Sequence, residues 1–153
     1  MQFEISVARN LPLTNVDDPD EALETFLFQV GYLPKGQEGK RGTKAVREGI
    51  PYRLFVDCLV RRPEKPWTPE ELSKRLSTSK VTVYRHLGKL RAMDIVEDVA
   101  FEDGRQRKRG VRLRYGSLTK AWNFVEANVE IAMENYRKSV DHIDSLVKSE
   151  RRK

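Results

Sequence analysis

The sequence predicts a mainly α-helical fold with one small β-hairpin, an α+β arrangement. Three observations predict it. Apolar residues recur every three or four positions in several separate stretches. Two capping signals open successive helices between Trp67 and Leu90, and the pattern changes to alternation between Val96 and Tyr115.

The capping signals come first because they agree most closely. In Thr68-Pro69-Glu70-Glu71, Thr68 is a natural N-cap, Pro69 suits the first helical position and Glu71 completes a capping box. Leu72 and Leu76 would face the core. Ser77-Thr78 reads as a short break, after which Ser79 caps a helix running to about Arg91 with Val83, Leu87 and Leu90 inward. Upstream, Pro51 to Arg62 is an amphipathic helix. Tyr52, Phe55, Val56 and Leu59 share one face and Leu54 and Cys58 another, so it is expected to be covered on two sides. Val96 to Phe101 and Val111 to Tyr115 read as two strands joined by a long basic tip, residues 102–110.

The flanks are less uniform. Phe3 to Val7 alternates as a short strand would. A helix starting within Asn15 to Glu21 runs to Val30, and Gly31 ends it. Pro34 to Gly49 shows no apolar period and reads as a flexible basic linker, with a helical turn near Lys44 to Glu48. Its glycines match no phosphate-binding fingerprint. From Ser117 to about Ser149 there is neither glycine nor proline. Leu118, Trp122, Val125, Val129, Met133, Tyr136, Val140, Ile143 and Val147 mark one stripe of a helix roughly 45 Å long. The tail Arg151-Arg152-Lys153 should fray. The expected organisation is therefore an N-terminal extension over 1–49, a helical unit with the hairpin over 50–116, and a long helix with its tail over 117–153.

Composition narrows the function. The net charge is +6 and the pI about 9.5, which favours a polyanionic partner. A single cysteine, Cys58, excludes an intrachain disulfide and reads as a core residue. No Cys/His cluster suggests a metal, so neither metal nor cofactor is expected. His142 reads as solvated and His86 as a surface or groove residue. Neither a Ser-His-Asp set nor a Walker motif stands out, and Asp17, Asp18 and Asp20 are explained by capping, so no enzyme is expected. No apolar run reaches a membrane span of roughly 20 residues, and no signal peptide is visible, which points to a cytoplasmic chain.

Residues 71–90 read ELSKRLSTSKVTVYRHLGKL. With the basic hairpin that follows, this stretch resembles prokaryotic winged helix-turn-helix regulators of the ArsR-like and MarR-like groups, over about 50 residues. The resemblance implies a DNA-binding transcriptional regulator with the hairpin as a wing, and such families often dimerise through helices outside the module. Two positions depart from the pattern. Ser73 stands where alanine is common, and Ser77 where glycine is common in the turn.

The expected DNA contacts are Thr68, Ser79, Lys80, Thr82, Arg85, His86 and Lys89 from the helices, and Arg105, Arg107, Lys108 and Arg109 from the wing. A helix fits the major groove, where Arg85 could pair with guanine, while the Ser79 hydroxyl and the helix N-terminus suit a phosphate. The wing would meet the backbone or the minor groove. For the last helix, the stripe Leu118, Trp122, Val125, Val129, Met133, Tyr136, Val140 and Ile143 could fold onto residues 3–30 or pair with a copy. The copy is favoured, and such a homodimer would hold two recognition helices about one DNA turn apart, roughly 34 Å. The alternative is an RNA- or ribosome-associated factor, or a protein-docking adaptor, that reuses the same fold. The role of residues 1–49, the target sequence, any effector and the regulatory sign are left open by the sequence.

Overall fold

The computed structural model describes residues 3–152. Lys153, part of the expected frayed tail, lies outside the described residues. The chain is mainly helical, with one two-stranded antiparallel hairpin and a long C-terminal helix. Six α-helices and one hairpin form it: α1 Pro19–Gln29, α2 Lys44–Arg47, α3 Ile50–Arg53, α4 Pro69–Leu76, α5 Lys80–Ala92, β1 Val96–Asp103, β2 Gln106–Leu113 and α6 Leu118–Arg151.

Phe3 to Val7 forms no strand. Its backbone is tied instead at two points, from Glu4 N–H to the Ala92 carbonyl and from Ser6 N–H to the Val30 carbonyl. Two isolated bonds to different elements make no ladder. Helix α1 begins as its sequence requires: Asp18 accepts from the Asp20 N–H at 3.2 Å, with Pro19 in the first turn. Asp20 itself does more than cap, since it accepts from the Tyr52 hydroxyl at 3.0 Å and from Arg61 at 3.2 Å. Gly31, at φ 85°, lets the chain leave α1, and a Cβ there would lie 2.8 Å from the Ser6 side chain.

The expected flexible linker after α1 is largely ordered. A 3₁₀ segment, Lys35–Lys40, precedes α2. The cause is a buried carboxylate. Glu24 is fully buried, accepts from the Gly42 N–H at 2.9 Å and faces Arg47 at 3.4 Å. A buried charge costs several kcal/mol unless it is paired and hydrogen-bonded. The glycine-rich segment is therefore held against α1, and Val46 packs into the core.

Helix α3 continues into a π-helical stretch, Leu54–Val60, whose wider turn shows in the bond from Arg61 N–H to the Val56 carbonyl. Leu54, Phe55, Val56, Cys58 and Leu59 are all buried, so this element is the centre of the core, covered on both sides. Burial pushes the Cys58 thiol up to about 11, which leaves it unreactive near neutral pH.

The hairpin is longer and tighter than its apolar pattern suggested. Residues 106–110, read as part of a loose tip, lie in β2, and the strands pair from Val96↔Leu113 to Asp103↔Gln106. Only Gly104 and Arg105 remain for the turn. Gly104 has φ 64° at the first central position, where a type II′ turn needs it. Tyr115, expected in the second strand, instead leaves the sheet in a left-handed conformation at φ 59°.

Helix α6 is capped by Ser117 and, at 34 residues, extends about 51 Å. Its first third docks on the body. Ala121 and Val125 are fully buried, Trp122 meets Phe26 edge-on at 5.6 Å, and Asn128 donates to Asp94 at 2.9 Å. Leu118, Trp122, Val125 and Val129 thus pack within their own chain, as the fold-back alternative had it. From Met133 to Val147 the same stripe stands exposed. No helix among the described residues is long and apolar enough to cross a membrane.

Candidate nucleic-acid interface

The helix-turn-helix is built by local hydrogen bonds that its sequence encodes. The Thr68 hydroxyl accepts from the Glu71 N–H, and the Glu71 carboxylate accepts from the Thr68 N–H, both at 3.2 Å. Lys65 closes this corner on Glu71 at 2.8 Å and stacks over Trp67. At the other end of α4 the chain turns through Ser77, which adopts φ 52° and ψ 51°. The Ser77 N–H reaches the Lys74 carbonyl at 3.3 Å and the Thr78 N–H reaches that of Ser73 at 3.1 Å, the paired closure of a Schellman turn. Serine thus occupies a position that glycine fills at lower cost. Ser73 has a use here too: its hydroxyl donates to the Thr78 carbonyl and ties the turn back to α4.

Helix α5 then starts on Ser79, whose hydroxyl accepts from the Thr82 N–H at 3.2 Å. Val83, Leu87 and Leu90 are fully buried. Opposite them, at steps of three and four, Val81, Tyr84, Arg85 and Gly88 face water. Lys80 and Lys89 flank this face, and Thr82 is half-buried. Val81 and Tyr84 are 78% and 49% exposed, which is high for apolar and aromatic side chains. Neither is among the usual donors to a base edge, so neither is among the contacts expected from sequence. Their signal was positional, since they lie on the side of the helix away from the leucines.

Two expected contact residues are not exposed. His86 is only 9% accessible and its Nδ1 has no partner. It belongs to the flank of the core, not to a groove-facing surface, because it lies one turn from Val83 and Leu90. Burial, with Arg85 and Lys89 adding, holds its imidazole below the usual histidine range. Thr68 is buried too, and its hydroxyl is engaged in the cap.

The wing is fixed beside these helices by a third backbone segment. Trp67 and Val111 exchange both backbone hydrogen bonds, at 2.9 and 2.8 Å. The approach is so close that a Cβ on Gly110 would lie 2.9 Å from Pro66. Cross-strand partners share a face of the hairpin. Asp98 lies opposite Val111, Ala100 opposite Arg109, and Glu102 opposite Arg107. Asp98 accepts from Arg91 of α5 at 2.9 Å, so this is the face that turns toward α5. Arg107 and Arg109 extend along it, and Arg109 lines a cleft of about 330 Å³ with Tyr84 and Arg91. Lys108 points to the other face and pairs with Asp103 at 2.7 Å. Arg105 sits in the turn.

The charges divide accordingly. Lys80 pairs with Glu70 at 3.1 Å and Lys108 with Asp103. Among the described residues, Arg85, Lys89, Arg105, Arg107 and Arg109 have no carboxylate within 4.0 Å. On α5 and the hairpin, these five cations are therefore the ones whose charge is uncompensated. No group of side chains that could hold a metal ion occurs among the described residues.

A family model described as a helix-turn-helix domain matches residues 52–99, which run from α3 into β1. No curated protein and no solved structure matches the chain.

Proposed function

We propose that this chain, with its helix-turn-helix over residues 52–99, is a sequence-specific DNA-binding transcriptional regulator that works as a homodimer. One observation carries the reading. The outward face of α5 and the arginine-bearing face of the hairpin adjoin, with Tyr84 and Arg109 on one cleft between them. A polyanion lying against α5 would also meet the wing.

The roles follow from the chemistry of the exposed residues. Arg85 stands on the outward face and can offer two parallel donors to guanine O6 and N7. Val81, one turn earlier, offers an apolar contact suited to a thymine methyl group. Gly88 leaves room for the groove wall, since nothing lies within 4 Å of where its Cβ would be. Lys80 and Lys89 flank this ridge and can meet phosphates on either side of a groove. Arg105, Arg107 and Arg109 hold the backbone or enter the minor groove. Phosphate contacts set register and affinity, while base contacts set sequence preference. Thr68, Ser79 and Thr82 support the two helix starts, and His86 fills the floor beneath Arg85 and Lys89.

The test separates these roles. Duplexes selected from a random pool by the purified chain should share a motif. In a gel-shift titration, Arg85→Ala should weaken binding to that motif by about 10- to 100-fold while changing scrambled DNA little. Enrichment of structured RNA with no DNA motif would overturn the DNA reading in favour of an RNA-associated role.

A further inference from the structure

Beyond Val129, α6 leaves the body of the protein. Met133, Tyr136, Val140, Ile143 and Val147 follow at steps of three, four, three and four, a mean of 3.5. That spacing fits a coiled-coil seam. All five are exposed, Tyr136 by 68%. The residues that follow Val129, Tyr136, Ile143 and Glu150, which recur every seven positions, are charged: Glu130, Arg137, Asp144 and Arg151, with signs alternating minus, plus, minus, plus. The opposite flank carries Ala132, Ser139 and Leu146 and no charge.

This asymmetry selects an orientation. In a parallel pair each charged flank would face the other chain's uncharged flank, and nothing would be gained. In an antiparallel pair the charged flanks face each other. With Val140 packed on Ile143 of a second copy, Glu130 meets Arg151 and Arg137 meets Asp144, each twice by symmetry. A slip of one heptad would set Arg137 against itself and Glu130 against Asp144. Like charges penalise that register. Within the chain, Asp144 already has Lys148 at 3.0 Å, and a carboxylate can accept from both. Among the described residues, Glu130, Arg137 and Arg151 have no partner of opposite charge within 4.0 Å. The lengths agree as well. The second helix would end opposite Glu130, one residue past Val129, the last seam residue covered by its own chain.

We propose that α6 pairs with α6 of a second copy in antiparallel orientation, about a two-fold axis beside Val140 and Ile143. This rests on the dimer reading above and gives it a geometry. The two docked segments, centred on Val125, stand about 50 Å apart along the seam, so the spacing of the two DNA-binding faces is set by this register.

Spin labels on the full chain test this. Cys58 is fully buried and does not compete for the label. Labels at Ala127→Cys should lie about 45 Å apart and labels at Asp141→Cys within about 20 Å. Short distances at both sites would mean a parallel pair, which overturns the orientation and leaves a dimeric regulator. A monomer by sedimentation, with no dipolar coupling, overturns the orientation and the dimer together. Independently, Arg137→Glu should raise the dimer dissociation constant roughly tenfold at low salt, and Arg137→Glu with Asp144→Arg should restore it. No change in the single variant contradicts the proposal.

Discussion

The outward face of α5 and the distal seam of α6 are both helical and both open to water, yet they are composed in opposite ways. On α5 a ridge of Val81, Tyr84 and Gly88 is bordered by Arg85, Lys80 and Lys89, and the hairpin brings more arginine beside it. On α6 the row is apolar from Met133 to Val147, with alternating charge on one flank only. The first composition suits a polyanion with a shaped groove, where cations supply affinity and the ridge supplies fit. The second suits a surface like itself, where desolvation of the seam supplies affinity and the flank supplies register. What lies beneath them differs too. The α5 face rests on fully buried Val83, Leu87 and Leu90, whereas the α6 seam projects beyond the body with nothing of its own chain under it. A substitution on the seam should therefore change assembly without changing the fold, and one beneath α5 should change both.

The largest effect separates the two surfaces outright. Val140→Glu with Ile143→Glu puts four like charges at the centre of the paired helices. The dimer dissociation constant should rise by at least about 100-fold, because burying each such side chain is worth about 1.5–3 kcal/mol. The helical signal and cooperative unfolding of the body should persist, since both side chains are more than half exposed in the chain. Loss of cooperative unfolding at dilutions where only monomer exists would break the comparison.

A smaller effect lies in the turn before α5. Ser77→Gly should stabilise the chain by about 0.5–1 kcal/mol in denaturant titration, because glycine reaches φ 52° without the strain of a Cβ. Destabilisation would mean that the serine earns its position by a contact that the turn's geometry does not show.

The smallest is a pH effect beneath the α5 face. The His86 pKa is lowered in the folded state, so the unfolded chain binds that proton more readily. Its contribution to stability is complete above the ordinary histidine value of about 6.5 and is lost as pH falls toward the folded-state value. Between pH 7.5 and 5.5 the unfolding midpoint of the native chain should fall further than that of His86→Gln. Equal falls would show that His86 gains its proton as easily folded as unfolded.

How much of this was legible in the sequence depends on which forces hold each part. The helix-turn-helix could be read because its boundaries are set locally. The Thr68 and Ser79 caps and the leucine spacing lie within a few residues of what they determine. The hairpin's length could not be read from apolar alternation, because Arg107 to Arg109 form a strand whose side chains face water and charge on both sides. The order in residues 35–47 depends on Glu24, a carboxylate some 20 positions away, and no local pattern announces a buried acid. On α6 the stripe was plain, but it has one appearance for two situations. Leu118 to Val129 meets its own core and Met133 to Val147 meets none, and only the placement of α1 and Asp94 decides where one gives way to the other. Of the expected contact residues, Thr68 and His86 were misplaced because a hydroxyl and an imidazole suit a cap or a core flank as well as a groove.

If the α5 face and the wing bind one polyanion together, the salt dependence of duplex binding by the full chain will show it. Each phosphate contact removed should lower the slope of log K against log salt by about 0.9. Arg107→Ala with Arg109→Ala should reduce the slope by about two per chain engaged and weaken binding to all sequences alike. An unchanged slope and affinity in that variant would contradict it.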